Sequence, residues 1–310
     1  MQIRNINYQD LNAVDLLVFA LGYETRSTYL YKKNKDTRNS KNTLAIWIDS
    51  EVCRENEVNA LRKEDISVIK CDYADHKKVC ESILEFLEEN FETDKLLNVH
   101  IDYSSMPRSW YCLIPRYIKE HCNRKHTIFF WYTAGNYPTS YKAFPSAGID
   151  SISVFSGSSL PAVDIKRYHI MGIGFDNIRT ETVKSIVEPD SLIVCYAYKE
   201  NSDIKGQVYE VNQRTIQTAT MSVALPINHF SGMVDRICSL TYELLSKNAQ
   251  VILIPDGPKP LIMSMSLVPE IIGKPGVTCL HISRNSDHYS KVDVAPQKDE
   301  IYGFQIKFTI

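Results

Sequence analysis

One stretch leaves this chain few ways to fold: Val251-Ile-Leu-Ile-Pro-Asp-Gly-Pro-Lys259-Pro-Leu-Ile-Met-Ser-Met-Ser-Leu267. Its opening run of β-branched and leucine residues has the pattern of a strand buried on both faces. Asp256-Gly257-Pro258 breaks that run, and a proline in a first helical turn costs nothing, because its missing N–H would be unpaired there anyway. A buried strand that turns straight into an apolar helix implies a parallel sheet covered by helices. The free N–H groups and positive dipole end of such a helix, with Lys259 beside them, suit an anion. The same grammar occurs earlier, in Leu97-Asn-Val-His-Ile-Asp-Tyr-Ser-Ser-Met-Pro-Arg108-Ser-Trp-Tyr-Cys-Leu-Ile114, where Pro107-Arg108 stand in place of Pro258-Lys259.

The rest of the chain alternates in the same way. Asp15–Leu21, Thr43–Ile48, Ser67–Cys71 and Thr127–Tyr132 read as strands. Between them, Glu51–Lys63 reads as a charged helix and His76–Phe91 as an amphipathic one, with apolar spacing at Val79, Ile83, Leu84, Phe86 and Leu87. From Ala134 to Lys166 the pattern dissolves into Gly, Pro, Ser, Asn and Tyr, with a short strand expected at Ile152–Phe155. The series then restarts at Tyr168–Ile173 and ends with Val277–Ile282. Gly22 and Gly174 are 152 positions apart, while Arg108 and Lys259, like Thr127 and Thr278, are 151 apart. Landmarks at nearly one spacing point to an internal duplication. The expected fold class is α/β: two tandem Rossmann-like parallel-sheet units related by that duplication. Their expected bounds are 1–142 and 167–310, with a linker at 143–166 and a cleft shared between them.

With 310 residues the chain is long enough for two domains with real cores. A formal net charge of -2 gives no global basic field for duplex nucleic acid, although a local pair of cations suffices for a small nucleotide. The eight cysteines form no C-x-x-C pair, and several fall in apolar segments, as reduced core thiols do. His100, His121, His126, His169, His229, His281 and His288 never pair at metal-ligand spacing, so no metal and no cofactor is expected. The first residues lack a signal pattern, and no apolar run reaches membrane-spanning length, so a cytoplasmic location is expected.

In a parallel open sheet, ligands gather outside the carboxyl ends of the strands. Gly22-Tyr23-Glu24, Arg26, Gly174-Phe175-Asp176 and Arg284 all stand at such ends, together with the two Pro-basic turns. The expected ligand-binding set is therefore Gly22, Tyr23, Arg26, Asp102, Ser104, Ser105, Arg108, Gly174, Asp256, Gly257, Lys259 and Arg284. Arg108 offers phosphate a bidentate fork and Lys259 a point charge. A lone cation is unfavourable at a helix N-terminus, which favours an anionic ligand there. Glu24 and Asp176 have three open readings: acceptors from ribose or base, caps of the helices that follow, or nucleophile and base in glycosidic cleavage. Ser104 and Ser105 lack the G-x-S-x-G elbow of a serine hydrolase. Tyr132, Tyr137, Tyr141, Tyr196 and Tyr198 either stack bases or pack the rim.

Asp256-Gly-Pro-Lys-Pro-Leu261 resembles the Gly-Gly-Thr-Lys-Pro-like turn of CRISPR-associated Rossmann-fold (CARF) sensor domains. Asp102-Tyr-Ser-Ser-Met-Pro-Arg108 is similar to their Asp-x-Thr-x-x-x-Arg variant. The resemblance covers about a tenth of the residues. This chain departs from the pattern in lacking a second Gly before Lys259, in having Pro258 for Thr, and in showing no attached nuclease domain. The resemblance implies paired domains binding cyclic oligoadenylates, with Asp102, Ser104, Ser105, Arg108, Asp256, Gly257 and Lys259 lining a nucleotide pocket. It also implies a setting in bacterial anti-phage signalling, with an effector protein or a second copy of the chain as partner. A nucleotide-processing hydrolase or glycosidase using Glu24 or Asp176, and a protein-interaction module without a small ligand, are the alternative functions.

Overall fold

A computed structural model describes residues 1–10, 14–34, 42–49, 55–92, 94–136, 146, 148–159, 164–200, 202–284 and 293–308. Tyr137, Tyr141, Cys53, Asn285 and His288 lie outside them, as does the start of the helix expected from Glu51. The fold class is the expected one: mixed α/β, with two mostly parallel, Rossmann-like sheets covered by helices.

In the first unit the parallel strands are β2 (Leu16–Leu21), β3 (Thr43–Asp49), β4 (Ser67–Asp72), β5 (Leu97–Asp102) and β6 (His126–Asn136). Every residue of β2 is buried, as expected for a central strand with helices on both faces. The chain runs β2-β3-β4 outwards in one direction and then returns to place β5 beside β2 and β6 beyond it. The strand order therefore reverses between β2 and β5. Strand β1 (Gln2–Ile6) and the long strand β13 (Ala295–Lys307) complete this sheet; β13 pairs antiparallel with both β1 and β6. The core packs Leu17, Phe19 and Leu21 of β2 against Leu30, Tyr31, Val58 and Trp131.

In the second unit β8 (Arg167–Ile173), β9 (Ser191–Tyr198), β10 (Met221–Pro226), β11 (Gln250–Ile254) and β12 (Val277–Ile282) repeat that order, with the reversal between β8 and β11. Beyond β12 lies β7 (Ile152–Ser158), antiparallel to it. Met171, Ile173, Val194 and Ile254 are central to this core.

The division of the chain differs from the expected one. The first unit comprises 1–137 together with 291–310, and the second comprises 138–290. The short strand expected inside the linker exists, but it is an edge strand of the second sheet, and β13 belongs to the first sheet. Antiparallel pairing at a sheet edge depends on which strand arrives there, and local apolar patterning carries no record of that.

Candidate functional site

Each unit places two turns at the reversal of strand order, the position where an open α/β sheet leaves a crevice. In the first unit these are the turn after β2 (Gly22 to Arg26) and the turn after β5, which leads into α4 (Arg108–His121). In the second they are the turn after β8, which leads into α5 (Asn177–Val187), and the turn after β11, which leads into α9 (Lys259–Ile272). The helices α4 and α9 match closely: each has 14 residues, a proline as N-cap and a cation as its first residue. A proline cap carries no oxygen side chain, so neither helix has a side-chain cap bond.

The two turns approach closely. A Cβ on Gly22 would meet the Ser105 backbone oxygen at 3.6 Å. In the second unit Gly257 has φ +89°, and a Cβ there would lie 2.5 Å from the Ile173 oxygen, while one on Gly174 would lie 3.0 Å from the Gly257 Cα. Only glycine allows this backbone contact at that φ.

A buried ion pair stands at these turns in each unit, within the turn after β2 in the first and between α5 and the turn after β11 in the second. In the first, Arg26 forks onto Glu24, with Nε 2.9 Å from Oε2 and a terminal nitrogen 3.1 Å from Oε1. Ser105 Oγ donates to Glu24 Oε2 at 3.0 Å from the opposite turn. Arg26 is 1% exposed; it also donates to the Thr133 oxygen at 3.0 Å and lies over the Tyr132 ring. In the second unit Arg179, also 1% exposed, donates through Nε to Asp256 Oδ2 at 2.7 Å and to the Ile282 oxygen at 2.8 Å. Arg26 and Arg179 thus do one job: each ties the turn after its unit's first parallel strand to the end of its last one.

This geometry sorts the expected residues. Arg26, Glu24 and Asp256 belong to buried bridges. Asp102 is buried and accepts from the Ser104 amide at 2.9 Å and from Ser104 Oγ at 2.5 Å, and Ser104 Oγ accepts from the Thr133 amide at 2.8 Å. Asp102 and Ser104 therefore shape the turn. Next to them, burial holds the Tyr103 phenol well above its usual pKa, so it stays neutral. Asp176 caps α5 by accepting from the Arg179 amide at 3.0 Å, which leaves Asp256, not Asp176, as the counterpart of Glu24. Tyr23, Ser105, Arg108, Gly174, Gly257 and Lys259 are half-buried in or beside the turns at the two strand-order reversals, and Arg284 is half-buried just past β12. Tyr132 and Tyr196 pack, whereas Tyr198 is partly exposed beneath Lys205.

Arg179 is absent from the expected set. Its signal lies a few residues beyond the Gly-aromatic-acid turns, since Gly22-Tyr-Glu-Thr-Arg26 and Gly174-Phe-Asp-Asn-Ile-Arg179 both run on into an arginine. Among the described residues no group of three or more His, Cys, Asp or Glu side chains is placed to hold a metal. Also among them, no helix is long and apolar enough to cross a membrane. Burial pushes the thiols of Cys80, Cys195 and Cys238 up to about 12, which fits inert core cysteines.

The fold and these crevices define a class: an α/β protein with two Rossmann-like units, each carrying a cation at a helix start beside its switch point. A scan against protein-family models finds no match for this chain, and a search of the curated proteins finds none either.

Proposed function

We propose that the chain binds a phosphate-bearing nucleotide at its switch-point crevices, with Arg108 and Lys259 meeting the phosphates. The observation that carries this reading is the repeated helix start. In both units a proline-capped, 14-residue helix begins with a half-buried cation beside the crevice. A cation there opposes the helix dipole, and an anion lying between the two relieves that conflict. Tyr23 and Ser105 stand beside the first crevice and suit a base and a ribose hydroxyl. The likeness of both turns to CARF sensors favours a cyclic or oligonucleotide signal and a role in anti-phage defence. The internal bonds of Glu24 and the capping bond of Asp176 favour recognition over glycosidic cleavage.

Isothermal titration with mononucleotides and cyclic oligonucleotides tests the proposal. Binding is expected for the wild type and is weakened at least about tenfold in Arg108→Ala/Lys259→Ala, since a charged hydrogen bond is worth roughly 1.5–3 kcal/mol. Equal affinity in the double variant sinks it.

A further inference from the structure

We infer that the two halves of this chain are repeats that have exchanged their last strands, and that each exchanged segment holds the switch-point turn of the unit it enters. The six-strand order is the same in both sheets: β13-β6-β5-β2-β3-β4 in one and β7-β12-β11-β8-β9-β10 in the other. In chain order, however, the strand that follows β6 is β7, which pairs with β12; the strand that follows β12 is β13, which pairs with β6.

The registers show what an unexchanged arrangement would look like. Ala295, the first residue of β13, pairs with Asn136, the last residue of β6. Ile152, the first residue of β7, pairs with Ile282, the last residue of β12. Each exchanged strand thus starts opposite the end of the strand it would follow in a simple β-hairpin, the shortest antiparallel connection. Two hairpins have become two crossovers, the reciprocal pattern of an element exchanged between like units.

The arriving segments do more than add an edge. Just before β13, Asp293 accepts from the Thr25 amide at 2.6 Å and from Thr25 Oγ1 at 2.5 Å, and the Val294 oxygen accepts from the Arg26 amide at 3.2 Å. Just before β7, the Gly148 oxygen accepts from Arg179. Asp150 and Ser151 bond to Ser283 at the end of β12: the Ser151 amide donates to Ser283 Oγ at 2.9 Å, and Ser283 Oγ donates to Asp150 Oδ2 at 3.2 Å. Both incoming segments thus lie on the arginine turn of the unit they complete. This inference stands apart from the nucleotide reading, because its tests need no ligand.

Hydrogen exchange on the full chain, read by mass spectrometry, tests it with substitutions at exposed Asp293 and half-buried Ser283. Asp293→Ala is expected to speed exchange at least about threefold in residues 23–28 and leave 174–180 unchanged. Ser283→Ala is expected to speed it in residues 148–155 and leave 23–28 unchanged. No change in the named segment for either variant overturns the latch. A rewired chain tests the exchange itself: β6 runs through a short turn into residues 293–308, and β12 runs through a short turn into 148–159. Retained wild-type protection in 126–136 and 277–282 is expected, and loss of protection in either segment overturns the exchange.

Discussion

Arg26 and Arg179 show what a buried charge demands. Each guanidinium is nearly inaccessible and offers several donors, which its carboxylate and a strand-end carbonyl accept. Removing one partner strands the other charge in the interior, at a cost of roughly 3–5 kcal/mol. Arg26→Met and Arg179→Met are each expected to lower unfolding free energy by about that amount in urea titrations. Glu24→Gln puts an NH2 donor where the fork needs an acceptor and leaves the Arg26 charge uncompensated, so it is expected to cost a comparable amount. His169 supplies a pH signature. It lies buried in β8, its Nδ1 has no hydrogen-bond partner among the described residues, and burial lowers its pKa to about 4. Because the folded value lies below the usual 6.5, the folded state binds fewer protons than the unfolded chain between those pH values. The contribution of His169 is thus complete above about pH 6.5 and shrinks as pH falls towards 4. Between pH 7 and pH 5 the loss is about 2 kcal/mol. Wild type and His169→Leu, unfolded in urea at both pH values, are expected to differ in slope by that amount, and equal slopes would rule out the assignment. At this scale the sequence exposes the residue types but not their partners: Glu24 and Asp176 share a local motif, yet Glu24 accepts from the Arg26 side chain and Asp176 from the Arg179 backbone amide.

Elements are the most legible scale, for reasons visible in α9 and β2. A fully buried strand must be apolar throughout, and β2 is. Helix α9 is buried on nearly every side and apolar at every phase, with a proline cap before it and Gly273 after it. Its two flanking glycines make different predictions. Gly273 terminates the helix at φ +59°, and nothing lies within 4 Å of where an added methyl group would sit, so Gly273→Ala costs only backbone conformation, about 1 kcal/mol. Gly257→Ala adds a collision with the Ile173 backbone to an unfavourable φ, and is expected to cost about 2–4 kcal/mol. Thermal unfolding of the two variants side by side checks the ranking. Two helices between β9 and β10, α6 (Ile204–Val211) and α7 (Gln213–Thr218), do not stand out in the sequence. They are short and mostly polar, so their apolar stripes are too brief to register.

For the whole molecule, local signals give the two sheets and their strand direction, and the placement of the crevices follows from strand order. The expected boundary fails at β7 and β13 because a strand's partner is a non-local property. Val154 of β7 is 64% exposed and β13 opens on the exposed or half-buried run Ala295 to Glu300, so neither strand has the uniform apolar signature of β2. Phe304 stacks on Phe130 at 5.2 Å and so ties β13 into the first core. That contact sets an order of events during synthesis. Every strand of the second sheet has been synthesised once β12 is made, whereas the first sheet, although begun earlier, waits for β13. The unit translated first is therefore the one finished last, and until then β6 presents an unpaired edge to whatever the nascent chain meets.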